Sequence, residues 1–232
     1  MAGKNVAIVL SAGVGKRMKS DLAKQYLLIK GKPVIFYALK TFQDCPFIDE
    51  IILVAGEKDL DFCRREIVEK YGLSKVQKIV AGGRERYNSV YNGLLAADDC
   101  SFVYIHDGAR PFVTQEILER LQEAVEKYHA CVAGMPVKDT IKISDEEGFS
   151  AETPRRDRVW QIQTPQVFSY PLVRDAYRKL MEKLEDGLQL AVTDDAMVVE
   201  HVTDCRVKLV EGSYSNLKIT TAEDMKTAEA FL

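Results

Sequence analysis

Val6-Ala7-Ile8-Val9-Leu10 runs straight into Ser11-Ala12-Gly13-Val14-Gly15-Lys16-Arg17-Met18. Five apolar residues without alternation read as a strand buried on both faces, the pattern of a parallel sheet covered by helices. The glycine-rich turn that follows lets backbone N–H groups come close to phosphate oxygens. Ile51-Ile52-Leu53-Val54-Ala55 repeats the strand pattern and ends in Gly56, with weaker versions at 76–81, 102–106 and 131–136. Residues 114–129 read as an amphipathic helix: Ile117, Leu118, Leu121, Val125 and Tyr128 fall on one stripe, and Thr114 stands at the N-cap position. Shorter helices are expected at 59–71 and 87–97, then a helix over 172–184, a strand over 205–211 and a helix from Thr221 to Leu232. Strand-helix alternation of this kind predicts an α/β domain with a mostly parallel sheet, its ligands at the carboxyl ends of the strands.

The alternation fails at 138–158. Lys138-Asp139-Thr140-Ile141-Lys142-Ile143-Ser144, a polar turn near Gly148 and a second polar stretch predict a β-hairpin arm with little apolar surface of its own. A lone two-stranded ribbon is marginal in water, so the arm is expected to lie on something else, a second subunit being a good fit.

At 232 residues the chain is long enough to bury a sizeable core without disulfides or a structural metal. Hydrophobic residues make up 47%, which excludes a disordered chain. Lys and Arg number 32 against 35 Asp and Glu, interleaved along the sequence, so no concentrated basic face for nucleic acid is expected. No apolar run approaches the roughly 20 residues that span a bilayer. The opening Met-Ala-Gly-Lys-Asn is too short and polar to read as a signal or transit peptide. Five cysteines without a CxxC spacing are expected to be free thiols in a reducing compartment, which points to the cytoplasm.

The glycine loop is neither of two common phosphate binders. Met18 replaces the third glycine of the dinucleotide fingerprint, and residues 22–43 hold no acidic residue for the ribose. A Walker loop fails because Arg17 stands where Ser or Thr would hold Mg²⁺. What remains is a glycine turn with cations at Lys16, Arg17 and Lys24. Asp107, in His106-Asp107-Gly108-Ala109-Arg110-Pro111, falls at the carboxyl end of a central strand and could offer a carboxylate to Mg²⁺ or serve as a turn former. His106 is expected to be a neutral packing side chain. Gly82-Gly83-Arg84-Glu85-Arg86-Tyr87-Asn88-Ser89 is a second strand-to-helix glycine turn suited to a base or ribose, and Lys218 lies near the end of the sheet. No Ser-His-Asp or Cys-His set is visible. A nucleophile that is already an anion needs no general base; it needs cations to bring two negative partners together. A phosphate monoester is such a nucleophile at neutral pH, so phosphoryl or nucleotidyl transfer fits better than hydrolysis or redox chemistry.

In order along the chain, these segments resemble the cytidylyltransferase family of the non-mevalonate isoprenoid pathway. The likeness is carried by residues 11–18, Lys24-Gln25-Tyr26, 82–89, 106–112 and Pro136-Val137-Lys138-Asp139-Thr140-Ile141-Lys142. It continues through Gln163-Thr164-Pro165-Gln166, Thr193-Asp194-Asp195-Ala196, Val210-Glu211-Gly212 and Asn216-Leu217-Lys218-Ile219-Thr220. The resemblance implies a single Rossmann-like nucleotidyltransferase domain over 1–232, with 138–158 as a dimerisation arm. It implies that CTP and methylerythritol phosphate give a CDP-alcohol and pyrophosphate with Mg²⁺. Ala12, Gly13, Gly15, Gly82, Gly83 and Ser89 would surround the nucleotide. Arg17 and Lys24 would stabilise charge building on the α-phosphate, while Lys218 and Arg156 position the attacking phosphate. Asp107 would lie between metal and sugar alcohol, with Arg110, Thr140, Thr164 and Thr193 lining that pocket. Numbers paired across a turn at Gly148 sum to about 296, which makes Thr140 and Arg156 neighbours; in this family the arm crosses to the other subunit of a homodimer. Ala23, where the family often has proline, and Arg84, where an acidic residue is common, are departures. Ribitol 5-phosphate is the rival acceptor, and a nicotinamide-dependent dehydrogenase or a silent nucleotide-binding regulator are rivals of another class.

Overall fold

The computed structural model describes residues 3–13 and 23–231. Strands β1 (Lys4–Ser11), β4 (Glu50–Ala55), β5 (Val76–Ala81), β6 (Cys100–Asp107), β7 (Ala130–Pro136), β10 (Trp160–Ser169) and β11 (Lys208–Glu211) form one seven-stranded sheet in the order β11-β7-β10-β6-β1-β4-β5. All pairings are parallel except those of β10, which runs antiparallel to both β6 and β7. Two short hairpins, β2 (Leu28–Ile29) with β3 (Lys32–Pro33) and β8 (Ile143–Ser144) with β9 (Ser150–Glu152), stand outside it.

The strand period of two sorts alternate side chains into two cores. Ala7, Val9, Ile51, Leu53, Tyr104 and Cys131 face α1 (Val34–Asp44) and α4 (Gln115–Tyr128). Val6, Ile8, Ile52, Val54, Val103 and Ile105 face α3 (Arg86–Ala96), α5 (Tyr170–Glu185) and α6 (Asp195–Val202). α3 packs so closely on β1 that a Cβ on Gly93 would stand 2.6 Å from the Ile8 Cγ2. In α4 the expected stripe is buried at Ile117, Leu118, Leu121 and Val125, but Tyr128, in the last turn, is exposed. Thr114 takes the N-cap position without a side-chain cap bond. α7 (Ala222–Ala230) starts in a capping box between Thr221 and Asp224.

Four elements differ from the sequence reading. Residues 59–71 are helical but not regular: a short α2 (Leu60–Phe62) passes into a π-helical stretch at Cys63–Glu69. α6 and α1 went unread. So did β10, whose interior is polar: Gln163, Thr164 and Gln166 are all buried. The β7–β10 ladder breaks between Ile162 and Gln166, around a cis Thr164–Pro165 bond.

The 138–158 arm turns as expected. Gly148 has a φ of +88°, and the Asp145 carboxylate accepts from the Glu147 and Phe149 amides at 3.1 and 2.8 Å. The expected sum of 296 holds at the base, where Pro136 faces Trp160 and the Val137 amide donates to the Val159 carbonyl. It slips at the tip, where Ile143 faces Glu152 and Ser144 faces Ser150. Between base and tip there is no ladder to pair Thr140 with Arg156. Arg156 instead opens a one-turn 3-10 helix and donates to the Lys138 carbonyl at 3.1 Å.

Candidate active site

The carboxyl ends of β1, β5 and β6 open onto a cavity of about 370 Å³. Gln25 pins the β1 end. It is buried, and its side-chain amide donates to the carbonyls of Ser11 and Gly13 at 2.5 and 3.2 Å. Ala12, Gly13 and Lys24 therefore line one wall together. Opposite them are Gly83 and the start of α3, where Glu85 and Asn88 form a capping box and Ser89 accepts from the Gly83 amide at 3.1 Å. Gly82 sits behind this wall; a Cβ there would lie 2.3 Å from the Ala12 Cβ and 2.8 Å from the Ser89 hydroxyl. The glycine is needed because two loops close on each other.

A second cavity of about 350 Å³ adjoins the first and is lined by Arg110, Gln163, Thr164, Thr193 and Asp194. Arg86, Asp107 and Lys218 line both. The Lys218 ammonium lies 2.7 Å from the Asp107 carboxylate, the Arg86 Nε 3.2 Å and the Arg110 Nε 4.0 Å. Burial alone would raise the Asp107 carboxyl, but Arg86, Lys218 and Arg110 hold it far below the ordinary carboxylate range. Burial lowers the Arg110 pKa, and its Nε has no hydrogen-bond partner among the described residues.

His106 is fully buried between the Arg110 carbonyl and the Thr164 hydroxyl, both at 3.0 Å. Burial pushes its pKa down to about 4, so it is the neutral packing residue expected. Thr164 in turn accepts from the Asp107 amide at 3.0 Å, which ties β10 to the end of β6.

The sequence-expected residues divide cleanly. Ala12, Gly13, Lys24, Gly83 and Ser89 line the first cavity, with Gly82 directly behind; Arg110, Thr164 and Thr193 line the second; Asp107 and Lys218 belong to both. Thr140 and Arg156 are exposed on the arm and line neither cavity of their own chain. Gly15 and Arg17 lie outside the described residues. Arg86 was overlooked. Its only sequence signal is a position at the first turn of a helix that follows a glycine pair.

Comparison with known proteins decides which anions such a pair of cavities brings together. Residues 5–232 match the family model described as 2-C-methyl-D-erythritol 4-phosphate cytidylyltransferase. The chain belongs to that family. A family member from Lachnospira eligens is 48% identical over 98% of this chain and 99% of its own length. One from Clostridium kluyveri is 46% identical over 97% and 95%. The crystal structure of 4-diphosphocytidyl-2C-methyl-D-erythritol synthase from Anaerococcus prevotii superposes with a TM-score of 0.85 at 37% identity, covering 98% of this chain and 95% of that one. As a 2-C-methyl-D-erythritol 4-phosphate cytidylyltransferase family member, the chain is a nucleotidyltransferase that transfers CMP from CTP to that sugar phosphate in isoprenoid precursor biosynthesis. Ribitol 5-phosphate is not favoured as the acceptor. Among the described residues, no helix is long and apolar enough to cross a membrane.

Proposed function

We propose that CTP occupies the cavity between the glycine turns and that the sugar phosphate occupies the adjoining one. The carrying observation is the wall of Arg86, Asp107 and Lys218 that both cavities share. Two mutually repelling phosphates must meet where the cavities join, and Lys218 stands there with Lys24 across the first cavity. Fixed cations that face charge only as it builds on the α-phosphate lower the barrier without any proton transfer. The backbone of Ala12 and Gly13 cradles the triphosphate, and Gly82, Gly83 and Ser89 bound the base and ribose. Arg17 and Gly15 keep the roles that the family resemblance implies. Arg110, Thr164 and Thr193, which line that cavity, hold the sugar alcohol.

Mg²⁺ fits this site as a companion of the triphosphate. Among the described residues no three His, Cys, Asp or Glu side chains gather into a ready cage. One carboxylate plus substrate phosphates is nevertheless a common way of holding Mg²⁺, and Asp107 is the carboxylate that both cavities share. The ion would neutralise phosphate charge when bound.

Arg156 and Thr140 fit a role in the partner's sugar-phosphate pocket, since they are exposed and line neither cavity of their own chain. The arm also exposes Phe149 at 68% and Ile143 at 48%, apolar surface that a homodimer would cover. The thiols among the described residues are all free, which supports a cytoplasmic setting.

Complementation tests the assignment. Assayed with the sugar phosphate well below the wild-type KM, Lys218→Ala and Arg156→Ala chains are each expected to keep at most about a tenth of wild-type activity alone. If the arm serves the partner, a mixed dimer keeps one intact pocket, so an equimolar, re-equilibrated mixture regains about a quarter of wild-type activity. No recovery from a mixture shown by mass spectrometry to contain the mixed dimer would refute the crossing arm.

A further inference from the structure

Behind the shared wall lies a carboxylate that touches neither cavity. Asp195 is fully buried at the start of α6. Both of its oxygens accept from the Arg86 fork, Oδ1 from Nη1 and Oδ2 from Nη2, each at 2.8 Å. The Tyr177 hydroxyl donates to the same carboxylate at 2.5 Å from α5. The segment around it is held as firmly. Gln166 on β10 accepts from the Asp195 and Ala196 amides at 3.0 and 2.9 Å and donates to the Asp194 carboxylate at 3.0 Å.

The third nitrogen of Arg86 points the other way, with Nε on Asp107. One planar guanidinium therefore joins a buried anion to the carboxylate that holds Lys218. A bidentate Arg–carboxylate pair resists both rotation and translation, which a lysine in the same place could not do. Asp195 is fully buried and Arg86 partly so, and the desolvation cost of such a pair offsets much of its attraction, so it is weak evidence of a stabilising role.

We propose that Asp195 and Arg86 are positioning residues for the transfer step: the Asp195 carboxylate aims the Arg86 fork, and Arg86 holds Asp107 and through it Lys218 at the junction of the two cavities. This rests on the reading of Lys218 given above. Because Asp195 lies outside both cavities, its effect falls on the orientation of the reacting phosphates, not on the binding of either substrate.

The test measures kcat, KM for CTP, KM for 2-C-methyl-D-erythritol 4-phosphate and Tm for Asp195→Asn, Arg86→Lys, the double variant and Lys218→Ala. Asp195→Asn and Arg86→Lys should each lower kcat by about tenfold or more, with the KM for CTP within about threefold of wild type. The double variant should be little worse than Arg86→Lys alone, because both act through one connection. Where Asp195→Asn does not fold, Tyr177→Phe replaces it and should lower kcat by about threefold with an unchanged KM for CTP. A folded Asp195→Asn enzyme with wild-type kcat overturns the inference, as do losses that multiply in the double variant. Wild-type turnover by Lys218→Ala would instead overturn the underlying reading of the site; loss there, with full activity in Asp195→Asn, defeats the positioning role alone.

Discussion

The sheet edge and the arm solve opposite problems with the same kinds of residue. At the edge, Arg86, Asp107, Arg110, Lys218 and Asp195 are brought within ion-pair distance around the two cavities. On the arm, among the described residues, Arg155 pairs with Asp157, two residues along and similarly exposed, and Arg156 donates to the Lys138 backbone carbonyl. Charges at the edge are partly or fully buried and oriented by one another before substrate arrives; those on the arm stay solvated until something covers them. The first arrangement suits the stabilisation of a transition state. The second suits a contact completed by association, and exposed ion pairs of that kind add little to the stability of one chain.

The largest break in this contrast should come from Lys218→Ala. Removing one preorganised cation from the junction is expected to slow pyrophosphate release by a hundredfold or more, about 3 kcal/mol of transition-state stabilisation. The Tm should stay within a few degrees of wild type, because Lys218 is partly exposed and Asp107 keeps Arg86 and Arg110 as partners. Steady-state kinetics beside a thermal melt checks both halves. Gly82→Ala should act through shape at the same edge. The added methyl would meet the Ala12 Cβ at 2.3 Å, so the loop that carries Ala12 and Gly13 must move. Overpacking of this kind costs about 1–3 kcal/mol, and a tenfold or greater rise in the KM for CTP is expected. The KM for the sugar phosphate should change far less.

How much of each region can be read from sequence follows from the same contrast. β1 and β4 announce themselves because both faces are covered by helices, so every position from Val6 to Val9 and from Ile51 to Ala55 is buried and apolar. The arm is readable for the opposite reason: Asp145 and Gly148 supply turn chemistry inside a polar run. β10 is hidden. Its buried Gln163 and Gln166 exist to satisfy the Ser213 carbonyl and the amides at the start of α6, contacts distant in sequence. A strand spending its interior positions on such partners loses the apolar alternation that would reveal it. Asp107 and Lys218 were found through family resemblance and strand position, but the Arg86–Asp195 pair spans 109 residues and leaves no local pattern. The register of the arm failed in between: Pro136–Trp160 and Ile143–Glu152 are paired, yet Arg156 winds into a helical turn where arithmetic expects a ladder.

On the arm, Arg156→Ala should leave the chain's own stability unchanged and raise the KM for the sugar phosphate about tenfold or more, the loss of a charge-assisted contact. The KM for CTP should stay within about twofold, if Arg156 meets the sugar phosphate as the family resemblance implies. An effect confined to CTP would assign Arg156 to the triphosphate and dissolve the division of labour between edge and arm.

The smallest effect is expected at the tip. The Asp145 carboxylate caps two amides of the turn, those of Glu147 and Phe149. Asp145→Ala removes both acceptors from a solvated loop, where water can take their place, so the cost should be about 0.5–1 kcal/mol. That loosening acts on a ribbon too short to hold itself. Its consequence should therefore appear in association and not in unfolding: weaker dimerisation by sedimentation equilibrium, with a chain Tm at low protein concentration shifted by no more than a degree or two. A large fall in that Tm would show the arm to be part of the chain's own cooperative core. The edge and the arm would then differ in exposure but not in purpose.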